Sequence, residues 1–497
     1  MNKAELENFI KNNYAVSSKQ IIKHFTALGE KTDTIRKAIS RLKQPYMRLK
    51  YIRLANNAQI LYHKENWLTI DFCKKVTNIL KDDNSIYAAA LEAIKARGGY
   101  VLEKYFPILS GSGEQKKHIW PNKIKDNLIS AGLLIEDDIE NLGKVLYLLE
   151  AEGNNVAAFV RAYCIQEQVM LQLIEDWLKR LNFITYNQTC HKNLTEDLPK
   201  FATTYWDITS PSYLLPLMRA NKQGSVICDL FLKDISDVSQ IQYIMKKLEL
   251  LSVQKNISRY LPIIIAPSFS QEAFMSLKRN GIIPASFDNL FGKETAKLFS
   301  ELYISLQNLA AAITKDPEKQ YTLFEKISTF ENISNQIRGP LFEMICIHLV
   351  HTTRQGFVEN GKNIFCQTLK KYLELDIINE SPTEIFIAEC KGYQPYHLIS
   401  FQEIKEWLDN TTHIRKSLIS MNEERNNKKF TFHFWTSSNF SNEALELLEK
   451  KKNKLHIEIK WKNGQEIMRE IKQYKLKGAE KMLNDYFFKN FLDKQLS

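Results

Sequence analysis

Two stretches of this chain carry the same order of apolar runs, and that repetition limits the fold more than any other feature. Between residues 158 and 310 a long helical pattern, VRAYCIQEQVMLQLIEDWLKRL, precedes strand-like runs at FITYN, TYWDIT, SVICDLFL and LPIIIAP. A helix at SQEAFMSLKR follows. Between 322 and 497 the helix GPLFEMICIHLV precedes ELDII, EIFIAEC and FTFHFWTS, then the helix SNEALELLEKK. Short apolar runs bounded by turn residues read as buried strands, and their alternation with helices calls for a mixed sheet with helical cover. The likeness reaches local sequence: APSFSQEAF (266–274) resembles SSNFSNEAL (437–445), each a turn from a strand into a helix. Asp207 lies 60 residues before Pro267, and Asp376 lies 62 before Ser438. The economical reading is a multi-domain α/β (α+β) chain with two αβββαβ units, at 156–312 and 322–497. Pro317 marks a junction between them.

A chain of 497 residues needs more than one core, so further domains are expected ahead of the repeat. Residues 1–65 read as a winged helix. A helix starts near Ala4, and Ser17 or Ser18 caps a second whose Ile21, Ile22 and Phe25 form an apolar face. Thr32 or Asp33 caps a third, with Ile35, Ala38, Ile39 and Leu42 at i, i+3, i+4 and i+7. MRLKYIRL and QILYH then alternate about Asn56 and Asn57 as a hairpin. This segment holds 13 Lys or Arg against 5 Asp or Glu. That excess attracts polyanions, so DNA is the expected partner, with Arg36, Lys37, Arg41, Lys43, Arg48, Lys50 and Arg53 as contacts. A helical protein-interaction module with a solvated charged face is the plainer alternative. Residues 66–155 repeat the theme with helices at 72–81, 85–97 and from Pro121, but without the basic excess.

Seven scattered cysteines with no CxxC pair read as reduced thiols, and the mixed-charge start MNKAELENFIKNNY is not a secretory signal. No apolar run reaches the roughly 18 residues of a bilayer span. A cytoplasmic location away from any membrane is therefore expected.

The residues able to do chemistry cluster in the second unit. Glu343 interrupts the apolar run 341–350, and a carboxylate on a buried helix is costly unless it is paired or binds metal. In YLELDII, Asp376 alternates with Leu375 and Ile377. In IFIAECKG, Ile385, Ile387, Glu389 and Lys391 share one face, so an acid and a lysine end an otherwise buried strand. Twelve residues separate Asp376 from Glu389, enough for a hairpin that brings both carboxylates together. Clustered carboxylate oxygens suit a hard cation such as Mg²⁺, and a nearby lysine stabilises developing charge on a phosphate. The plain alternative is a surface ion pair between Glu389 and Lys391. His348 reads as a core histidine, Cys190 with His191 lacks a second pair for zinc, and His397 and His413 read as surface groups. No phosphate-binding GxxxxGK[ST] loop is present.

An acid in a helix, an Asp opening a hairpin and an apolar strand ending Glu-X-Lys resemble the PD-(D/E)XK nuclease core of the restriction-endonuclease-like superfamily. IAECKGY and FWTSSNFSNEALELLEKK resemble its methylation-dependent restriction endonuclease type, over about residues 330–470. The resemblance implies a metal-dependent endodeoxyribonuclease, acting in restriction or antiviral defence and working as a homodimer for double-strand cuts. It implies Mg²⁺, with Mn²⁺ able to substitute, on Asp376, Glu389, the Cys390 carbonyl and Glu343. Lys391 would be the catalytic lysine and Gln394 a phosphate contact. Leu375 stands where the motif has proline. In the first unit Asp207 and Asp229 take the acidic positions, but residue 231 is Phe, so that copy is expected to be degenerate and non-catalytic. The main rival is a DNA-binding regulator or structural protein whose nuclease fold has decayed.

Overall fold

The computed structural model describes residues 3–115, 118–151, 156–193, 197–218, 222–328, 334–394, 396–454 and 457–488. The chain is mixed α/β and divides into two compact units. One comprises residues 1–137, 144–152 and 174–290; the other comprises 138–143, 153–173 and 291–497. Among the described residues no helix is long and apolar enough to cross a membrane, and all seven cysteines are free.

The first unit opens with helices Lys3–Asn12, Ser18–Ala27 and Thr32–Ser40 and a three-stranded antiparallel sheet. Ile60–His63 is the central strand, between Ala15–Ser17 and Tyr46–Arg48. Ser17 caps the second helix through a reciprocal capping box with Gln20. The third helix differs from expectation at its start: Lys31 holds the cap position, with no side-chain bond. Leu6, Ile10, Ile21, Phe25, Ile35, Ile39, Leu42 and Leu61 form its core. The hairpin is shorter than the alternation suggests. Past Arg48 the chain leaves the sheet and buries Leu49, Ile52 and Leu54 instead, and Asn56 and Asn57 both take positive φ. Helices Ile70–Asp82, Ile86–Ala96 and Pro121–Ser130 follow. The first two are capped by Thr69 and Ser85, and Gly98 and Gly99, both at positive φ, stop the second.

A five-stranded sheet also lies in this unit, made of β1 (Cys190–His191), β2 (Ile208–Pro211), β3 (Ser225–Leu230), β4 (Tyr260–Ala266) and β5 (Ile283–Ser286). Helices α1 (Gln242–Ser252) and α2 (Gln271–Arg279) follow β3 and β4 respectively. FITYN forms no strand; the short Cys190–His191 segment pairs with β2 in its place. One core joins Ile79, Leu91 and Ile94 of the preceding helices to Ile227, Ile264 and Leu277. Burial against tertiary neighbours, not local alternation, decides which apolar runs become strands here.

The second unit has strands β6 (Phe357–Cys366), β7 (Lys371–Glu380), β8 (Glu384–Lys391), β9 (Lys429–Thr436) and β10 (Ile457–Lys462). Helix α3 (Ser334–Thr353) precedes them, α4 (Phe401–Met421) joins β8 to β9, α5 (Asn442–Lys451) follows β9, and α6 (Gly464–Gln473) follows β10. The ten-residue strand β6 has no counterpart in the sequence expectations. Pro317 opens a helix, Pro317–Ser328, inside this unit.

Five strands of each sheet share one topology. The orders are β5-β4-β3-β2-β1 and β10-β9-β8-β7-β6. In each, the first three strands in sequence pair antiparallel and the last three pair parallel. Parallel neighbours need a crossover, which α1 and α4 supply at the same point. The register agrees as well: Ile208 faces Cys228, and Ile377 faces Ala388. Asp207 therefore corresponds to Asp376, and Asp229 to Glu389.

Candidate active site

In both sheets the acid at the start of the hairpin is held by the same backbone bond. Asp376 Oδ2 accepts from the Cys390 amide at 2.8 Å, and Asp207 Oδ2 accepts from the Leu230 amide at 2.8 Å. These amides belong to the residues just after Glu389 and Asp229. Each aspartate is thereby locked against the neighbouring strand, with one oxygen turned away.

In the second unit that other oxygen meets a group the sequence reading missed. Arg161, on the long helix Val156–Arg180, lies 3.5 Å from Asp376, 3.0 Å from Glu343 and 2.5 Å from Glu374. Glu343 and Asp376, far apart in sequence, thus share one guanidinium. Glu389 and Lys391 form an ion pair at 2.6 Å in the same neighbourhood, and the charges of Asp376 and Arg161 both act on Glu389. Three of the carboxylates are nearly inaccessible, with side-chain exposures of 1% for Glu374, 7% for Asp376 and 13% for Glu343. Gly392 makes the convergence possible. A Cβ there would lie 2.8 Å from Phe342 Cβ and 2.9 Å from the Arg338 carbonyl, so only glycine lets the end of β8 approach α3 this closely.

The electrostatics follow from crowding. Burial, then the charges of Asp376 and Glu374, push the Glu343 carboxyl up to about 8 against the pull of Arg161. Burial and Asp376 push Glu389 up to about 7, despite the adjacent lysine. Both carboxylate oxygens of Glu374 are buried without a hydrogen bond, the Arg161 ion pair being their compensation. The cluster holds more negative charge than one guanidinium and one ammonium comfortably neutralise.

Hard oxygen donors of this kind fit a divalent cation. Among the described residues, though, no group of three or more His, Cys, Asp or Glu side chains is arranged to hold a metal ion. Arg161 stands among the carboxylates instead. Cys390 is buried within β8, and Gln394 is exposed in the loop beyond it, its carbonyl accepting from the His397 amide at 3.0 Å. His348 bonds the Tyr321 hydroxyl at 2.9 Å. His397 is exposed, whereas His413 is half-buried on α4 rather than at the surface. Arg161 carried one legible signal: it is the single charged residue in the run VAAFVRAYCIQ. Glu374 shares the parity of Asp376 on its strand.

The equivalent place in the first unit is saturated by cations. Arg97 holds Asp207 with two bonds, at 3.0 and 2.7 Å, and Lys192 reaches it at 2.7 Å. Lys247 on α1 bonds Asp229 at 2.6 Å and lies 3.7 Å over the Trp206 ring. Lys247 and both aspartates are wholly buried, and burial pushes the Lys247 ammonium down to about 8 even beside Asp229. Phe231, in the position matching Lys391, is buried as well.

Of the basic residues at the N terminus, Arg36, Lys37, Arg41, Lys43, Lys50 and Arg53 are exposed. Arg48 is the exception: it is half-buried and donates to the Ile39 carbonyl at 2.9 Å, closing the end of Thr32–Ser40. Comparison of the chain with models of protein families, with curated proteins and with solved structures finds no match.

Two tests address the first-unit lock. Lys247→Met leaves Asp229 buried without its cation and is expected to cost about 3–5 kcal/mol in denaturant unfolding. Burial opposes charge on Asp207, yet Arg97 and Lys192 overcome it and hold that carboxyl well below the ordinary range. A depressed carboxyl adds stability above its unfolded value and loses it as pH falls. Denaturation midpoints should therefore drop below about pH 4, and Asp207→Asn should flatten that drop.

Proposed function

We propose that this chain is a divalent-metal-dependent endodeoxyribonuclease of the PD-(D/E)XK, restriction-endonuclease-like type, with its active centre in the second unit. The observation that carries the reading is the convergence of Glu343, Asp376 and Glu389 beside Lys391, at the point where β7 and β8 pair. The αβββαβ order with two antiparallel and two parallel strand pairs supports it. Asp376, Glu389, Glu343 and the Cys390 carbonyl would hold Mg²⁺ or Mn²⁺. Such an ion polarises the phosphoryl oxygen and acidifies a bound water.

The remaining work falls to the chain's own groups. Lys391, ion-paired to Glu389 and surrounded by acids, stays protonated and offers its ammonium to charge building up on the phosphate. The amide of Cys390 fixes Asp376, so its other oxygen is presented in one orientation. Arg161 neutralises the carboxylates in the absence of a divalent ion, which keeps a crowded acidic site folded. DNA would be engaged through the exposed basic residues Arg36, Lys37, Arg41, Lys43, Lys50 and Arg53, with phosphate contact dominating affinity. Restriction or defence is the biological setting such a combination suits, by analogy of fold alone.

A second reading has its own observation. Arg161 stands where a metal would bind, and the first unit already has an acidic pair neutralised by cations. A DNA-binding protein with a decayed nuclease fold would look like this in both units. Lys391 argues against it, because a site needed only for packing has no use for a partly exposed lysine beside the acids.

Plasmid cleavage separates the two. Wild type should nick DNA with Mg²⁺ and not with EDTA, while Asp376→Asn and Lys391→Met should each lose about a hundredfold or more. Equal rates for all three proteins would remove the catalytic assignment. Calorimetry tests the charge balance without turnover. Arg161→Met is expected to lower metal-free stability by about 3–5 kcal/mol, the cost of stripping a buried pair of one partner. Mn²⁺ should restore more of the variant's melting temperature than of the wild type's. DNA affinity measured against salt should fall uniformly across sequences in Lys37→Ala with Arg41→Ala, and the salt slope should shrink by about one per lost contact.

A further inference from the structure

Residues 49–54 of the first unit, where the chain leaves the sheet after Arg48, alternate irregularly between core and solvent. Leu49, Ile52 and Leu54 are buried in the unit's core, while Lys50, Tyr51 and Arg53 are exposed. Strict alternation would put Tyr51 inside and Ile52 outside. The backbone of Tyr51, with φ of 70°, shifts the pattern by one residue, so Lys50 and Tyr51 both face outward.

That left-handed conformation is costly for a bulky side chain and cheap for glycine or asparagine. The cheap solution appears a few residues on, where Asn56 and Asn57 hold φ of 58° and 55°. Tyr14, also at positive φ, follows the end of helix Lys3–Asn12, where a left-handed residue is the usual stop. Tyr51 ends no helix. It is also 61% exposed, so packing does not account for an aromatic there. A strained residue kept at an exposed position points to function.

The segment is held firmly from behind. The Leu49 amide donates to the Ile60 carbonyl at 2.9 Å, and the Ala55 amide donates to Asp83 Oδ2 at 2.6 Å. Arg48, which leads into it, donates to the Ile39 carbonyl near the end of the basic helix Thr32–Ser40. Among the described residues neither Lys50 nor Arg53 has an ion pair or a hydrogen bond. Two cations with their charge unneutralised therefore flank one solvent-facing ring. They sit in a stretch of 65 residues with 13 Lys or Arg against 5 Asp or Glu.

This set is complementary to a polyanion that carries flat apolar faces between its charges. A nucleic-acid strand is such a polymer, with a base beside each phosphate. In a continuous duplex the bases are stacked on one another, whereas an unpaired base offers a face to an aromatic ring. An acidic peptide would satisfy the cations but leave the ring without a counterpart.

We propose that Tyr51 stacks on an unpaired base while Lys50 and Arg53 pair with the phosphates around it, so that the first unit prefers DNA containing a single-stranded stretch. The inference rests on the DNA-binding part of the proposed function and not on cleavage. It narrows the substrate from duplex in general to DNA with a gap, overhang or fork.

Fluorescence anisotropy of the full chain, in EDTA to keep cleavage out of the measurement, tests it on three DNAs. These are a blunt duplex, the same duplex with a single-stranded overhang, and that overhang built of abasic sites. Wild type should bind the base-bearing overhang about tenfold more tightly than the abasic one, the value of one base stacked on an aromatic ring. Tyr51→Gly should remove that preference and leave affinity for the blunt duplex unchanged. Because glycine relieves the left-handed backbone, the variant's melting temperature should equal or exceed that of wild type, which separates lost stacking from lost folding. Tyr51→Trp should keep the preference, and Lys50→Ala with Arg53→Ala should weaken all three DNAs and flatten the salt dependence. A 5-iodouracil in the overhang should cross-link to Tyr51 on irradiation. Equal affinity of wild type for the base-bearing and abasic overhangs, or a preference that survives Tyr51→Gly, overturns the proposal and leaves DNA binding in place. Polyglutamate bound as tightly as the base-bearing overhang overturns it in favour of an acidic peptide. Affinity for none of the DNAs removes the DNA-binding reading along with it.

Discussion

Two acids facing one another across adjacent strands cannot both stay charged in a buried setting without a cation between or beside them. This constraint recurs at one register of five matching strands in the two sheets, and much of each unit is arranged around it. In the first, Arg97, Lys192 and Lys247 arrive from three separate segments to meet Asp207 and Asp229. In the second, Arg161 and Lys391 meet Glu343, Glu374, Asp376 and Glu389. Breaking such a pair costs several kcal/mol because the remaining charge is left behind, so the long-range placement of helices is tied to these contacts.

The difference between the two clusters is one of balance. The first has three cations for two acids, all buried, and no capacity left for a ligand. The second has two cations for four acids, and burial raises the carboxyl groups of Glu343 and Glu389 in consequence. The partly exposed Lys391 lies beside this acidic excess. Shared strand order with opposite charge balance is what distinguishes the two clusters.

Much of this could be read from the residues alone. The strands β7, β8 and β9 of the second sheet, the hairpin bringing Asp376 toward Glu389, the cap at Ser17 and the stop at Gly98 and Gly99 all rest on local pattern. Alternation, capping and turn chemistry act over a few residues and leave a direct trace. The repeat was legible too, because APSFSQEAF and SSNFSNEAL mark equivalent strand-to-helix turns. What tertiary structure alone decided is which cations reach the acids. Arg161 lies more than 180 positions before Glu343, and Lys247 is buried while its neighbour Lys246 is not, a distinction no periodicity encodes. FITYN lost its place as a strand, and Arg48 its freedom, for the same reason. Long-range charge compensation and burial depend on which surfaces meet in the folded chain, and sequence spacing carries no record of that.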